Sequence, residues 1–135
     1  MSDIMCSIPE AKKTILVVED NDTNRRLFIF MLEHLGWTVS SARNGREALD
    51  MLSLSVFDVV LMDLQMPEID GFEAIRRIRT QPSLAQNQSI PILAATAYSS
   101  NEHEKRCYEV GANGFLSKPV KLNDLAHALE GIVRA

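Results

Sequence analysis

An α/β fold with a parallel sheet covered by helices on both faces follows from three observations. Five short apolar runs alternate with segments of helical period. The runs Ile15-Leu16-Val17-Val18 and Val59-Val60-Leu61-Met62 are continuously apolar rather than alternating, as strands buried on both faces are. Polar and charged residues gather at the carboxyl ends of these runs, where parallel α/β sheets place their ligand sites, near the switch in strand order. Right-handed crossovers restrict the topologies that such units can adopt.

Taken in order, Thr14–Val18 is the first strand. Asp22 or Thr23 opens a helix with Leu27, Phe28, Met31 and Leu35 at helical spacing, and Gly36 is its natural stop. Trp37–Ala42 alternates more and reads as an edge strand. Asn44 caps a short helix whose apolar face is Ala48, Leu49 and Leu52. Asp58–Asp63 is the third strand, ending on an acid before the turn Gln65-Met66-Pro67. Asp70 and Glu73 have the spacing of a capping box, with Phe72 and Ile75 on the helix that follows. Gln81 to Ser89 is a polar connection leading to Pro91 and a fourth strand, Ile92–Thr96. The helix near Asn101–Val110 is mostly charged, with a thin apolar face of Cys107 and Val110. Gly114–Ser117 is a short fifth strand, and Leu122, Leu125, Ala126, Leu129, Ile132 and Val133 form a stripe on the last helix.

The 135 residues, 46% hydrophobic and 24% charged, suit one globular domain able to bury roughly two thirds of its unfolded surface. The expected domain spans 13–135, preceded by a short, loosely ordered lead-in over 1–12. A net charge of −4 with no Lys/Arg stripe argues against direct nucleic-acid binding. Cys6 and Cys107 are too few for a disulfide framework, and the longest apolar stretch is far short of a membrane span. Met1 to Lys13 lacks the basic start and apolar centre of a signal peptide. A cytoplasmic domain without membrane contact is the expectation. His34, His103 and His127 lie on separate helices without ligand spacing and read as surface or helix-end residues, and Cys107 reads as packing.

Glu19 and Asp20 together, Asp63, Thr96 and Lys118 fall at the predicted carboxyl ends of four separate strands. Three carboxylates and one lysine so placed point to a metal-assisted phosphoryl site. Taken singly, each has a plainer role: Asp63 as a solvated acid, Glu19 and Asp20 as complements to a helix dipole, Lys118 as a surface lysine, Thr96 as a β-former. Together, Val18-Glu19-Asp20-Asn21, the stretch from Leu61-Met62-Asp63-Leu64-Gln65-Met66-Pro67 through Asp70-Gly71, Ala95-Thr96-Ala97 and Lys118-Pro119 resemble the four signatures of response-regulator receiver domains, over about Lys13 to Val133.

The resemblance implies a flavodoxin-like three-layer sandwich with a five-stranded parallel sheet in the order 2-1-3-4-5. It implies that Asp63 accepts a phosphoryl group from a phosphohistidine on a histidine kinase or histidine phosphotransfer protein. Clustered carboxylates repel one another without a cation, and Mg²⁺ suits such a set, with Mn²⁺ able to substitute. By the family pattern Asp20 and Asp63 are direct ligands and Gln65 contributes its backbone carbonyl. Glu19 acts through a coordinated water or, since many relatives carry Asp there, directly. Lys118 sets its ammonium against the phosphoryl oxygens, aimed by a cis bond to Pro119. Thr96 donates its hydroxyl after transfer, and Phe115 then turns inward. Many relatives have Tyr at that position, so a less sharply two-state rotamer switch is expected of Phe115. Gln65 and Tyr98, each two residues beyond Asp63 and Thr96, are expected to flank the path of the hydrolytic water.

The output face implied is the fourth helix, the fifth strand and the last helix, with Tyr98, Phe115 and Lys121 as members. The chain then catalyses its own phosphoryl transfer and slow loss without turning over external substrates. Two other classes stay open: a phosphate-independent interaction domain, against which all the acidic and lysine positions count, and an aspartate-nucleophile phosphohydrolase, against which the lack of a second acid after Asp63 counts. Two settings are compatible with the chain, a stand-alone receiver or the receiver of a hybrid sensor kinase, in which Gln-Met-Pro after the acceptor is frequent.

Overall fold

A computed structural model describes residues 13–98 and 100–134. The expected lead-in over 1–12 lies outside the described residues. Five parallel strands, β1 (Thr14–Val18), β2 (Thr38–Ala42), β3 (Val59–Asp63), β4 (Ile92–Thr96) and β5 (Gly114–Ser117), form one sheet in the order β2-β1-β3-β4-β5. They alternate with α1 (Asp22–His34), α2 (Gly45–Leu54), α3 (Gly71–Thr80), α4 (Asn101–Val110) and α5 (Leu122–Arg134). The implied architecture and strand order are those observed.

Each strand presents alternate residues to two separate cores. Ile15, Val17, Val59, Leu61, Leu93 and Ala95 pack on α1 and α5 through Phe28, Leu32, Leu125 and Leu129. Leu16, Val18, Val60, Met62, Ile92 and Ala94 pack on α2, α3 and α4 through Leu52, Ile75, Ile78 and Cys107. The central strands are buried on both faces, which is why they read as unbroken apolar runs. β2 is an edge strand, as expected.

Several boundaries differ from the sequence expectations, each for a physical reason. α1 opens at Asp22, as expected, and its cap is Asn21, whose side chain accepts from the Asn24 N–H at 2.9 Å. Of the expected α1 stripe, Leu27 is exposed, because Phe28, Met31 and Leu32 already fill the contact with the sheet. Trp37 precedes β2 rather than opening it, since its N–H closes the end of α1 on the Leu32 carbonyl at 3.0 Å. Asp58 stands before β3, its carboxylate accepting from the Thr14 N–H at 2.8 Å. The Asp70 side chain caps α3 through the Glu73 N–H at 2.9 Å, but the capping box is not reciprocal. The Glu73 carboxylate is taken by Arg76 and Arg77, whose bonds pull its pKa down to about 2. Val133 of the α5 stripe is exposed.

The polar connection Gln81 to Ser89 contains a 3₁₀ helix, Pro82–Asn87, which the sequence reading does not predict. Its anchor is Asn87, which is buried. Asn87 Nδ2 donates to the Leu52 carbonyl at 2.7 Å and the Ser55 carbonyl at 2.8 Å, while Oδ1 accepts from the Phe57 N–H at 3.4 Å. Asn87→Ala strips these partners from a buried site, so the expected loss of stability is about 2–4 kcal/mol, measured by urea unfolding.

Candidate functional site

In this strand order the chain leaves β1 toward β2 on one side and β3 on the other, so the switch point lies between the carboxyl ends of β1 and β3. Glu19 and Asp20 follow β1, and Asp63 ends β3. The topology thus places these acids side by side, and one carboxylate oxygen from each of Glu19, Asp20 and Asp63 lies within 4.8 Å of the others. Glu19 and Asp63 are buried and Asp20 is exposed.

Lys118 comes from the far side, after β5, across a cis bond to Pro119 as expected. Its backbone N–H donates to the Thr96 carbonyl at 2.8 Å, which sets the β5–α5 loop against the end of β4. Its ammonium donates to Glu19 Oε1 at 2.9 Å and to Asp63 Oδ1 at 3.0 Å. Burial works against the charged Lys118, but the bonds to Glu19 and Asp63 outweigh it and raise its pKa above the ordinary lysine value.

Asp63 is the reverse case. Burial and then the neighbouring charge of Glu19 push its carboxyl up to about 6, against the partial opposition of Lys118 and of the Gln65 N–H, which donates to Oδ1 at 3.1 Å. Oδ1 therefore takes both bonds, and Oδ2 takes none among the described residues. No buried side-chain polar atom among those residues lacks a partner, so Oδ2 keeps a small contact with solvent although Asp63 as a whole is buried. A carboxylate with one oxygen fixed and the other free is well set for nucleophilic attack. The excess negative charge and the hard oxygen donors fit a small divalent cation.

Thr96 is fully buried at the end of β4. Its Oγ1 accepts from the Tyr98 N–H at 3.0 Å and from Gln65 Nε2. Gln65 is half-buried, and its Oε1 accepts from the Ala97 N–H at 3.1 Å. Tyr98 is exposed and lines a groove with Met66, Pro67, Phe72 and His103. Phe115 is half-buried against the core beneath α4 and lines a second groove with Tyr108 and His127, away from the acids. Of the histidines, His34 and His127 are exposed as expected, while His103 is half-buried, edge-on to Phe72 at 5.5 Å. Cys107 is packing, its thiol pushed up to about 11 by burial and Glu104.

Two supporting residues escape the sequence reading. Arg25 donates to the Glu19 carbonyl at 3.0 Å and to Asp22 at 2.5 Å, pinning the turn that carries the acids. Its spacing from Asp22, three apart on one helix, is the available signal. Gly71 lies against the end of β3, where an added Cβ would sit 2.4 Å from the Asp63 carbonyl oxygen. Only glycine allows α3 to start that close to Asp63.

The response regulator receiver domain model matches residues 15–130. The chain belongs to this family. It is 38% identical over 124 residues to hybrid signal transduction histidine kinase B of Dictyostelium discoideum, covering 86% of this chain and 6% of that protein. The polar-differentiation response regulator DivK of Brucella anthropi is 34% identical, with 82% of this chain and 87% of that one covered. The receiver domain of sensor histidine kinase PA1611 from Pseudomonas aeruginosa superposes with a TM-score of 0.82 at 33% identity, over 93% of this chain and all of that one. Its structure carries a magnesium ion in the active site cleft. This receiver thus spans only a small part of the hybrid kinases it matches and nearly the whole of the single-domain regulators. Among the described residues no helix is long and apolar enough to cross a membrane.

The raised pKa of Asp63 has a consequence for stability. The folded receiver holds this proton more tightly than the unfolded chain, whose carboxyl has a pKa of 3.8. Its contribution is therefore favourable below about pH 4 and is lost as pH rises through about 6. Without divalent metal, Asp63→Asn melts a few degrees above the native protein at about pH 7.5, and the gap closes toward about pH 4.5, as followed by calorimetry.

Proposed function

We propose that this receiver takes a phosphoryl group from a phosphohistidine onto Asp63 in a magnesium-dependent reaction, in a cytoplasmic setting. The observation that carries the reading is the convergence of Glu19, Asp20 and Asp63 on one point with Lys118 bonded to the acceptor. Asp63 Oδ2 attacks phosphorus, the P–N bond breaks, and its electron pair leaves on the imidazole nitrogen. Asp20, Asp63 and the Gln65 carbonyl would hold Mg²⁺ or Mn²⁺, with Glu19 direct or through water. When bound, the cation would supply charge neutralisation to the phosphoryl oxygens. Lys118 shifts from its two carboxylates to a phosphoryl oxygen, and Thr96 donates its hydroxyl to another. Gln65 and Tyr98 flank the water that later hydrolyses the acyl phosphate, so slow self-dephosphorylation is the only turnover of this domain.

The partner is a histidine kinase or histidine phosphotransfer protein. Thr23, Leu27, Phe30 and His34 form an exposed stripe along α1, with Leu27 51% and Phe30 70% exposed, running back from the helix end beside the acids. Apolar exposure leading to the acceptor suits an apolar helical face that presents a histidine. The output face is α4, β5 and α5, with Tyr98, Phe115 and Lys121 at its surface. Half-buried Phe115 is the switching residue there.

With a small acyl phosphate donor and magnesium, one phosphoryl group appears on Asp63 by mass spectrometry. It is absent in Asp63→Asn and after chelation. Failure of the native protein to label, or labelling elsewhere, overturns the reading. Turnover of unrelated phosphate esters would instead make the domain a hydrolase.

The combined substitution Leu27→Ser with Phe30→Ser slows transfer from a phosphohistidine protein that labels the native domain by about tenfold or more, as expected for central apolar contacts. Labelling by the small donor is unchanged. Quench-flow comparison of the two donors checks this.

A further inference from the structure

Separate stretches of chain meet over the acceptor, and the side chain of Gln65 joins two of them. The loop after β3 carries Gln65, and the loop after β4 carries Ala97 and Tyr98. Gln65 Oε1 accepts from the Ala97 N–H at 3.1 Å, which leaves Nε2 to donate to Thr96 Oγ1. Thr96 Oγ1 also accepts from the Tyr98 N–H at 3.0 Å, so both of its lone pairs are occupied. Thr96 is fully buried, and these donors stand in for water. At its other end Gln65 is tied to the acceptor itself, its N–H donating to Asp63 Oδ1 at 3.1 Å. One residue therefore connects the group that reacts with the hydroxyl that must answer.

We propose that Gln65 is a latch that holds Thr96 in its unphosphorylated position. The proposal rests on the phosphoacceptor reading above. For Thr96 to swing toward a phosphoryl group on Asp63, its oxygen leaves the Gln65 amide. The domain then resists switching until the new bond to the phosphoryl oxygen replaces the old one. In this role Gln65 is a positioning residue that sets the bias between the two states through Thr96. Its length matters: the amide must reach Thr96 and Ala97 together, which an asparagine, one methylene shorter, does not.

Two variants test the latch. Gln65→Met keeps the volume and removes both polar ends, and Gln65→Asn keeps the amide but shortens its reach. In magnesium-free, unphosphorylated protein, hydrogen exchange at the Ala97 amide is read by NMR, with melting curves to show that each variant is folded. With magnesium, the same amide signals report the affinity for beryllofluoride, a mimic of the phosphoryl group. Both variants should exchange faster at Ala97 and bind the mimic about two- to tenfold more tightly than the native protein, the equivalent of one hydrogen bond removed from the resting state. Unchanged or weaker binding of the mimic overturns the latch, whether or not Ala97 exchange rises. Native protein that binds no beryllofluoride in magnesium overturns the phosphoacceptor reading, and the latch with it. Native binding that the variants merely equal overturns the latch alone.

Discussion

The structure depends on the burial of two like charges, Glu19 and Asp63, at the edge of a sheet, with Lys118 holding them together. A carboxylate in an apolar setting is costly unless a cation or donors compensate, and two such carboxylates compound the cost. Here one ammonium bonds to both, at 2.9 and 3.0 Å. The compensation is incomplete, since the Asp63 carboxyl still sits at about 6. Three acids and one lysine leave this pocket short of positive charge, a deficit that a divalent cation would fit.

The rest of the fold works to keep the acids where their mutual repulsion would not put them. β1 and β3 are adjacent and buried on both faces, so the ends that bear Glu19 and Asp63 have little freedom. Arg25 pins the Glu19 carbonyl, and Gly71 lets α3 pack directly on the end of β3. The Lys118 N–H on the Thr96 carbonyl fixes the lysine to the same edge through β4. Four strand ends are thereby locked into one constellation, while Asp63 retains an oxygen without a side-chain or backbone partner among the described residues.

The parts legible in the sequence are those with a local physical signature. Double-sided burial makes β1, β3 and β4 unbroken apolar runs, and the side-chain caps at Asn44 and Asp70 are visible as residue types in position. The site acids and Lys118 were readable because each ends a strand, and the family resemblance supplied the strand order that brings them together. What stayed hidden depends on tertiary contact. The 3₁₀ helix rests on Asn87 reaching carbonyls more than thirty residues away, and nothing in a polar run announces that. Leu27 has helical spacing but no partner left on the sheet, so period alone misplaced it. The Gln65 side chain bridges two loops whose proximity only the folded sheet creates.

The helices flanking Asp63 are held very unequally. α3 buries Gly71, Phe72, Ala74, Ile75 and Ile78 and starts hard against β3. α4 buries Cys107 alone, with His103 and Arg106 resting on Phe72 from outside, the Arg106 guanidinium 4.1 Å from the ring centre. Few buried contacts mean low local stability, so a disturbance at the site is absorbed where yielding is least costly. The β3–α3 side cannot give without breaking the core, whereas α4 has little core contact to lose. Strand-end rigidity on one side and a thinly anchored helix on the other suit the proposed function: the first would keep the chemistry in register, and the second would let the surface respond to it.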